Sequence, residues 1–403
     1  MSLIYPFAAL RPVPEAAQRV AAVPYDVVST DEARVLAAGN PLSFLHVSRP
    51  EIDLPEGADP HGGEVYDRAA ASFAALKKAA PLVMEEAPGF YVYRLHMGAH
   101  VQAGIAACFS VDEYDRNLIR KHEKTRPDKE DDRTRHMLAI EAQTGPVFLT
   151  YKASRAIDAV VARVVQTPPL FDFTAPDEVR HVVWRVPAPE HAAIVDGFAA
   201  VPVLYIADGH HRAASAARAR QARAAQGAGE WDRMLAVAFP DDQVQVLPYN
   251  RVVRDLHGRA PEAFLDALAA RMTVSEGGTP SPERKGLIAM RLAGRWHTLD
   301  VTRSGEGAAT ALDVDVLERE VLGPLLGITD VRTDKRIEFV GGIRGAAELE
   351  RLVDSGAFAV AFSMYPVSLD DLMRIADAGG IMPPKSTWFE PKLRDGLLSH
   401  VIS

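Results

Sequence analysis

The chain has almost no cysteine, no excess of positive charge and no long apolar run. Cys108 is the single cysteine in 403 residues, which excludes an intrachain disulfide and any cysteine-based zinc cluster. It lies in Gly104-Ile105-Ala106-Ala107-Cys108-Phe109, where an inert, buried thiol is expected rather than a nucleophile. Lys and Arg number 45 against 54 Asp and Glu, a net charge of −9. Such a surface repels nucleic acid and anionic membranes, so neither is expected as a partner. No apolar stretch approaches the roughly 18 residues needed to cross a bilayer. Met1-Ser2-Leu3-Ile4-Tyr5-Pro6 lacks a basic segment followed by an apolar one, so no signal peptide is read and a cytoplasmic protein is expected. Three catalytic signatures are also missing. There is no Gly-x-Ser-x-Gly elbow, no His-Glu-x-x-His helix and no Gly-x-Gly-x-x-Gly after a strand.

The richest segment is Val203-Leu204-Tyr205-Ile206-Ala207-Asp208-Gly209-His210-His211-Arg212. An apolar run that reads as a buried strand ends at Asp208, turns on Gly209 and enters an Ala/Arg-rich helix. Such a junction aims the first backbone N–H groups and the positive end of the helix dipole at one spot, which suits a phosphate. Gly209 permits close approach of a ligand, and Arg212 in the first turn adds a charged donor. Asp208, at the strand end, suits Mg²⁺ or a substrate hydroxyl. The plain structural alternative is a helix start with two surface histidines.

A second candidate is Arg120-Lys121-His122-Glu123-Lys124-Thr125. A carboxylate among cations stays ionised and can act as a general base or bind Mg²⁺, while Arg120 and Lys121 can neutralise a polyphosphate. A solvated charged loop explains the same residues. A third is Met382-Pro383-Pro384-Lys385-Ser386-Thr387-Trp388-Phe389-Glu390-Pro391-Lys392, where Lys385, Ser386 and Thr387 offer a cation and two hydroxyls beside an aromatic pair. The upstream glycines of a Walker loop are absent there, and a packed tail is an equal alternative. Pro24-Tyr25-Asp26 is the weakest candidate. With the standard hydrolase and dinucleotide motifs missing, phosphoryl transfer or nucleotide binding fits these residues best.

Along the chain, the spacing predicts a helix capped by Ser29 or Thr30 and another over 62–80. A strand pair follows around Gly98, then a helix from about Arg133 to Gln143 and a strand at 147–151. Consecutive strands are expected at 234–240 and 243–248, and a helix at 261–272. The Gly/Pro/Ser cluster at 277–286 reads as a linker, followed by strands near 287–301 and helices near 313–326, 344–355 and 368–378. The mixture predicts an α+β or mixed α/β fold and not a doubly wound Rossmann sheet. Two regions are expected, a nucleotide-binding core over 1–276 and an α/β region over 277–403.

Five ordered motifs carry a resemblance. They are Tyr5-Pro6-Phe7-Ala8-Ala9-Leu10-Arg11-Pro12, Pro24-Tyr25-Asp26-Val27-Val28-Ser29, the segment around Glu123, Asp208-Gly209-His210-His211-Arg212 and Met382 to Thr387. Together they resemble the DUF1015 family, long of unknown function, for whose members serine kinase activity has been proposed. The Asp208–Ala214 segment is also similar to the Gly-Glu-Arg-Arg-x-x-Ala box of ParB and the Gly-Gly-Cys-His-Arg loop of sulfiredoxin. Free L-serine kinases with a ParB/sulfiredoxin-like fold are similar at the same place. The resemblance implies a ParB/sulfiredoxin-like core with large insertions that uses ATP or ADP with Mg²⁺ to phosphorylate free L-serine, in a chain able to form a homo-oligomer.

Under that resemblance Glu123 would accept the hydroxyl proton, Asp208 would orient substrate or metal, and His122, His210 and His211 would stabilise transferred charge. Gly209, His210, His211 and Arg212 would hold the phosphates. The chain departs from its models: a histidine stands where sulfiredoxin has its reactive cysteine, which excludes sulfinic acid reduction. His210 and His211 also replace the acid and arginine of the ParB box. A nucleotide-binding switch without transfer is the alternative reading.

Overall fold

The computed structural model describes residues 3–79, 81–302 and 311–403. It is a mixed α+β protein whose chain divides into two compact units, 1–244 with 391–403, and 245–390. The expected division at 276/277 falls inside the second unit, where residues 277–286 join two of its strands.

The first unit is built on a nine-stranded sheet. In chain order its strands are β1 (Ile4–Tyr5), β2 (Tyr91–Met97), β3 (His100–Ser110), β4 (Ile119–Arg120), β5 (Val147–Tyr151), β6 (Phe171–Thr174), β7 (Arg180–Arg185), β8 (Leu204–Asp208) and β9 (Arg233–Pro240). They lie in the order β4-β8-β5-β9-β3-β2-β7-β6, with β1 also paired to β3. Only β4 with β8 and β5 with β9 run parallel; the remaining pairs are antiparallel. That pattern is incompatible with a doubly wound sheet, as the sequence predicts. The β2–β3 turn uses Gly98 at φ +58°, a conformation glycine adopts without cost.

Four helices of this unit bear on the argument: α1 (Thr30–Ala37), α2 (Gly63–Lys78), α3 (Pro127–Ile140) and α4 (His210–Ala222). Ser29 caps α1 through a reciprocal box, its Oγ accepting from Glu32 N–H at 3.2 Å and its own N–H donating to Glu32 Oε2 at 2.8 Å. Such a cap contributes roughly 1 kcal/mol. α4 buries Ala213, Ala216, Ala217 and Ala219 in the core that also holds Ile105, Leu149, Leu204 and Ile206. These short side chains let the helix backbone lie close to the sheet.

The second unit carries a six-stranded, wholly antiparallel sheet. Its core includes Val252, Val340, Leu349, Val353 and Phe358.

One local expectation needs correction and another is met. The helix expected from Arg133 begins at Pro127. Proline loses no hydrogen bond at the first helical position, and Asp128 and Glu130 in the first turn complement the dipole. The dense charge hides this start because it masks the apolar period. The consecutive strands expected at 234–240 and 243–248 are present, at Arg233–Pro240 and Gln245–Leu247. Gln245–Leu247 pairs antiparallel with Trp388–Glu390, within the second unit.

Cys108 sits near the C-terminal end of β3 with no exposed surface, and burial pushes its thiol pKa well up. Both effects suppress thiolate chemistry. A water-soluble disulfide reagent at pH 8 should therefore leave the native protein unlabelled and titrate one thiol after denaturation. Rapid labelling of the native protein would contradict the buried placement.

Candidate functional site

The site is assembled by one pair of parallel strands. Ile119 and Arg120 of β4 lie in register with Leu204 and Tyr205 of β8. Parallel strands end on the same side of a sheet, so the segments that follow them meet. One is the 121–126 segment leading to α3. The other is Asp208-Gly209-His210-His211-Arg212, which opens α4. A register shift between Ile206 and Asp208 against β5 turns the strand end as it leaves the sheet.

Gly209 takes φ +90° and is followed directly by α4, whose start no side chain caps. A Cβ at this position would lie 2.9 Å from the Arg212 guanidinium. Glycine is therefore required by both backbone angle and space. Asp208 Oδ1 accepts the Gly209 N–H at 2.8 Å, and its Oδ2 meets Lys392 Nζ at 3.1 Å. Burial alone would raise the pKa of Asp208, but Lys392 and Arg212 hold it well below the usual carboxylate range. The carboxylate is thus ionised at any physiological pH.

His210 is buried at 5 % exposure, and its Nδ1 stands 3.8 Å from Glu123 Oε2. Its Nε2 accepts the His122 backbone N–H at 3.4 Å, so in the neutral ring the proton sits on Nδ1 and faces Glu123. The His122 ring meets the His210 ring edge-on at 4.4 Å. Burial depresses both imidazoles, His210 well below its ordinary range and His122 to about 4. At neutral pH they are uncharged, so any help they give a developing anion comes through an N–H dipole rather than a positive charge. His211 Nε2 accepts the Arg126 backbone N–H at 3.1 Å, which ties the 121–126 segment to the first turn of α4.

Arg212 turns inward. It is 8 % exposed, donates to the Pro146 carbonyl and lies 3.7 Å from Asp208 Oδ2. Its side chain lines an internal cavity of about 50 Å³ with Tyr25, Arg133, His136 and Asp395. This guanidinium therefore supports the Gly209 turn from beneath.

The remaining candidates scatter. Lys121 Nζ lies 3.8 Å over the Tyr114 ring, and the Thr125 hydroxyl donates to Glu130. Arg120 sits in the β4 ladder opposite Tyr205. Lys385 and Ser386 belong to the second unit. There the Lys385 carbonyl accepts from Arg251 at 3.1 Å, its Nζ lies 5.5 Å from the Tyr249 ring centre, and Ser386 Oγ donates to the Pro383 carbonyl at 2.7 Å. Among the described residues no group of three or more His, Cys, Asp or Glu side chains could hold a metal ion. Asp208 has both oxygens engaged, Oδ1 with the Gly209 N–H and Oδ2 with Lys392.

Sequence reasoning missed Asp395 and gave Lys392, the last residue of the Met382–Lys392 candidate, no role. The only signal was a charged run, Lys392-Leu393-Arg394-Asp395, inside an apolar chain end. No helix among the described residues is long and apolar enough to cross a membrane.

Two predictions follow from the buried charges. Gly209→Ala should cost roughly 1–3 kcal/mol of stability, from the positive φ and the clash with Arg212; an unchanged thermal midpoint would contradict the turn geometry. Asp395 is raised to about 7 by burial and by Asp26, against the opposing pull of Arg212 and Arg133. An acid raised on folding binds its proton more tightly in the native state, so its contribution is full below about pH 4 and is lost as pH rises to about 7. Its slope is at most about 1.4 kcal/mol per pH unit. Buried His122 and His136, both lowered to about 4, act in the opposite sense: their contribution is lost as pH falls from about 6.5. The difference between wild type and Asp395→Asn isolates the Asp395 slope, and a pH-independent difference in unfolding free energy between pH 4 and 8 would refute it.

Comparison with known proteins adds the family. Among solved structures, a free serine kinase in complex with AMP shares 13 % identity, covering 74 % of this chain and 91 % of that one, with a TM-score of 0.38. A conserved hypothetical protein from Pyrococcus furiosus shares 14 % identity, covering 73 % and 95 %, with a TM-score of 0.36. SbnI from Staphylococcus aureus, with a C-terminal truncation, shares 14 % identity, covering 73 % and 87 %, with a TM-score of 0.40. These likenesses are too distant to carry a function over. No curated protein matches the chain. The model of the family described as "Protein of unknown function (DUF1015)" matches residues 4–319, and the chain belongs to that family.

Proposed function

We propose that the start of α4 and the 121–126 segment form a nucleotide phosphate site, and that the protein transfers a phosphoryl group from ATP or ADP to a small alcohol, free L-serine being the favoured acceptor. The observation that carries this reading is the approach of Glu123 Oε2 to 3.8 Å from His210 Nδ1 beside an uncapped helix start. An ionisable acid then stands next to a phosphate-seeking backbone, which is the juxtaposition that transfer to a hydroxyl requires.

Each residue has a role in this reading. The first-turn N–H groups of α4, at His210 and His211, meet phosphate oxygens. Gly209 supplies the close approach, although its own N–H is committed to Asp208. Asp208 fixes the turn. Glu123, 38 % exposed along its side chain, accepts the acceptor's hydroxyl proton as the new O–P bond forms and the leaving nucleotide takes the electrons of the broken bond. Neutral His210 offers its Nδ1–H to Glu123 or to a transferring oxygen. Mg²⁺ would enter on the nucleotide's own phosphates, where it neutralises their charge. The choice of L-serine rests on the family resemblance alone.

The test is an incubation with serine, Mg²⁺ and either ATP or ADP, read for phosphoserine by mass spectrometry. The expected result is phosphoserine from one donor, lowered at least about a hundredfold in Glu123→Gln, with ADP affinity of the variant within about threefold of wild type. Nucleotide binding without phosphoserine would leave a non-catalytic nucleotide switch. No binding of either nucleotide would overturn the phosphate site itself.

A further inference from the structure

The C-terminal segment supplies the opposite charges for the two ends of the Asp208–Arg212 motif. Lys392 Nζ lies 3.1 Å from Asp208 Oδ2, and three residues on, Asp395 stands near enough to Arg212 for the two charges to act on each other. Neither tail residue is on the surface: the Lys392 side chain is 13 % exposed and Asp395 is buried.

The segment is also pinned along its length. The backbones of Asp395 and Ala22 exchange hydrogen bonds at 2.9 and 3.2 Å, and Gly396 N–H donates to the Thr144 carbonyl at 3.1 Å. Just before them, Arg394 donates to His181 Nε2 at 3.1 Å and pairs with Asp177. His181 in turn meets the Tyr93 hydroxyl through Nδ1 at 2.8 Å. Lys392 therefore enters the site on a fixed backbone, although 184 residues separate it from Asp208.

We propose that Lys392 is a positioning residue of the nucleotide site: it holds Asp208 so that Asp208 fixes the Gly209 turn and directs the first N–H groups of α4 at the phosphates. This rests on the phosphate-site reading and names the residue on which its geometry depends. An unopposed carboxylate at the mouth of the helix would repel phosphate and cancel the dipole. The ammonium removes that repulsion and, by its hydrogen bond, keeps Oδ1 turned to Gly209 N–H. The other groups facing Asp208 are Arg212, His122 and His210. Both histidines are neutral and Arg212 is shared with the Pro146 carbonyl, so Lys392 is the main compensating charge.

The experiment measures ADP affinity by calorimetry from pH 5.5 to 8 for wild type, Lys392→Met and Lys392→Arg. Taking the ratio of variant to wild type cancels the titration of ADP itself. The expected result is a loss of about tenfold or more for Lys392→Met at pH 8, shrinking toward pH 5.5 as the uncompensated Asp208 takes up a proton. Lys392→Arg should remain within about threefold at every pH. A ratio near one, or a loss that does not change with pH, overturns the proposal while leaving the phosphate site standing. If wild type binds no ADP, the phosphate site fails instead. A double-mutant cycle in thermal unfolding, with Asp208→Asn and Lys392→Met, then decides the pairing: additive effects overturn it and strong coupling sustains it.

Discussion

Everything at the candidate site depends on the parallel pairing of two short strand ends, Ile119–Arg120 with Leu204–Tyr205. Antiparallel pairing of the same residues would send the 121–126 segment and the Asp208–Arg212 turn to opposite ends of the sheet. Parallel pairing costs a long connection, and here that connection is some 80 residues of helix and strand. It brings a carboxylate on one segment to an uncapped helix start on the other. The contacts are then fixed crosswise by backbone donors, His122 N–H to His210 and Arg126 N–H to His211. The backbone of the 121–126 segment thus orients the two imidazoles that open α4.

Beneath this junction lies a layer of buried charge. Arg212 lies between Asp208 and the cavity that Asp395, Arg133 and Tyr25 also line. Arg133 stacks 4.3 Å over the Tyr25 ring and donates to Asp132 and to the Ser48 carbonyl. Removing one member of such a network leaves another charge uncompensated, at a cost of roughly 3–5 kcal/mol. The layer therefore serves rigidity, and the residues above it inherit that rigidity. Burial has a second effect there: His122 and His210 lose their charge, so Asp208 faces Lys392 and Arg212 rather than imidazolium ions.

Local order was legible in the sequence; long-range pairing was not. The strand–Gly209–helix junction, the Ser29 cap, the Gly98 turn and the burial of Cys108 each follow from a few adjacent residues and were readable directly. The early start of α3 at Pro127 was hidden because its first two turns carry almost no apolar residue. The meeting of Glu123 with His210 follows from strand order, which no local pattern encodes. The pairing of Lys392 with Asp208 and the burial of Asp395 were illegible for the same reason: a charged pair in a chain end looks like surface until the fold returns it to the core. Arg212 was expected at the phosphates because its residue type suits them, yet the Pro146 carbonyl and Asp208 draw it inward. The motif at Lys385 and Ser386 serves local hydrogen bonds inside the second unit, with Arg251 and Pro383.

The central claim is that nucleotide phosphates bind where β4 and β8 deliver their loops. Hydrogen–deuterium exchange with and without ADP tests it most directly, because protection reports position rather than activity. The account predicts slowed exchange confined to two stretches that are remote in sequence, 120–126 and 208–213, with smaller protection at 391–396. Protection restricted to 245–390, or none at saturating ADP, would contradict it.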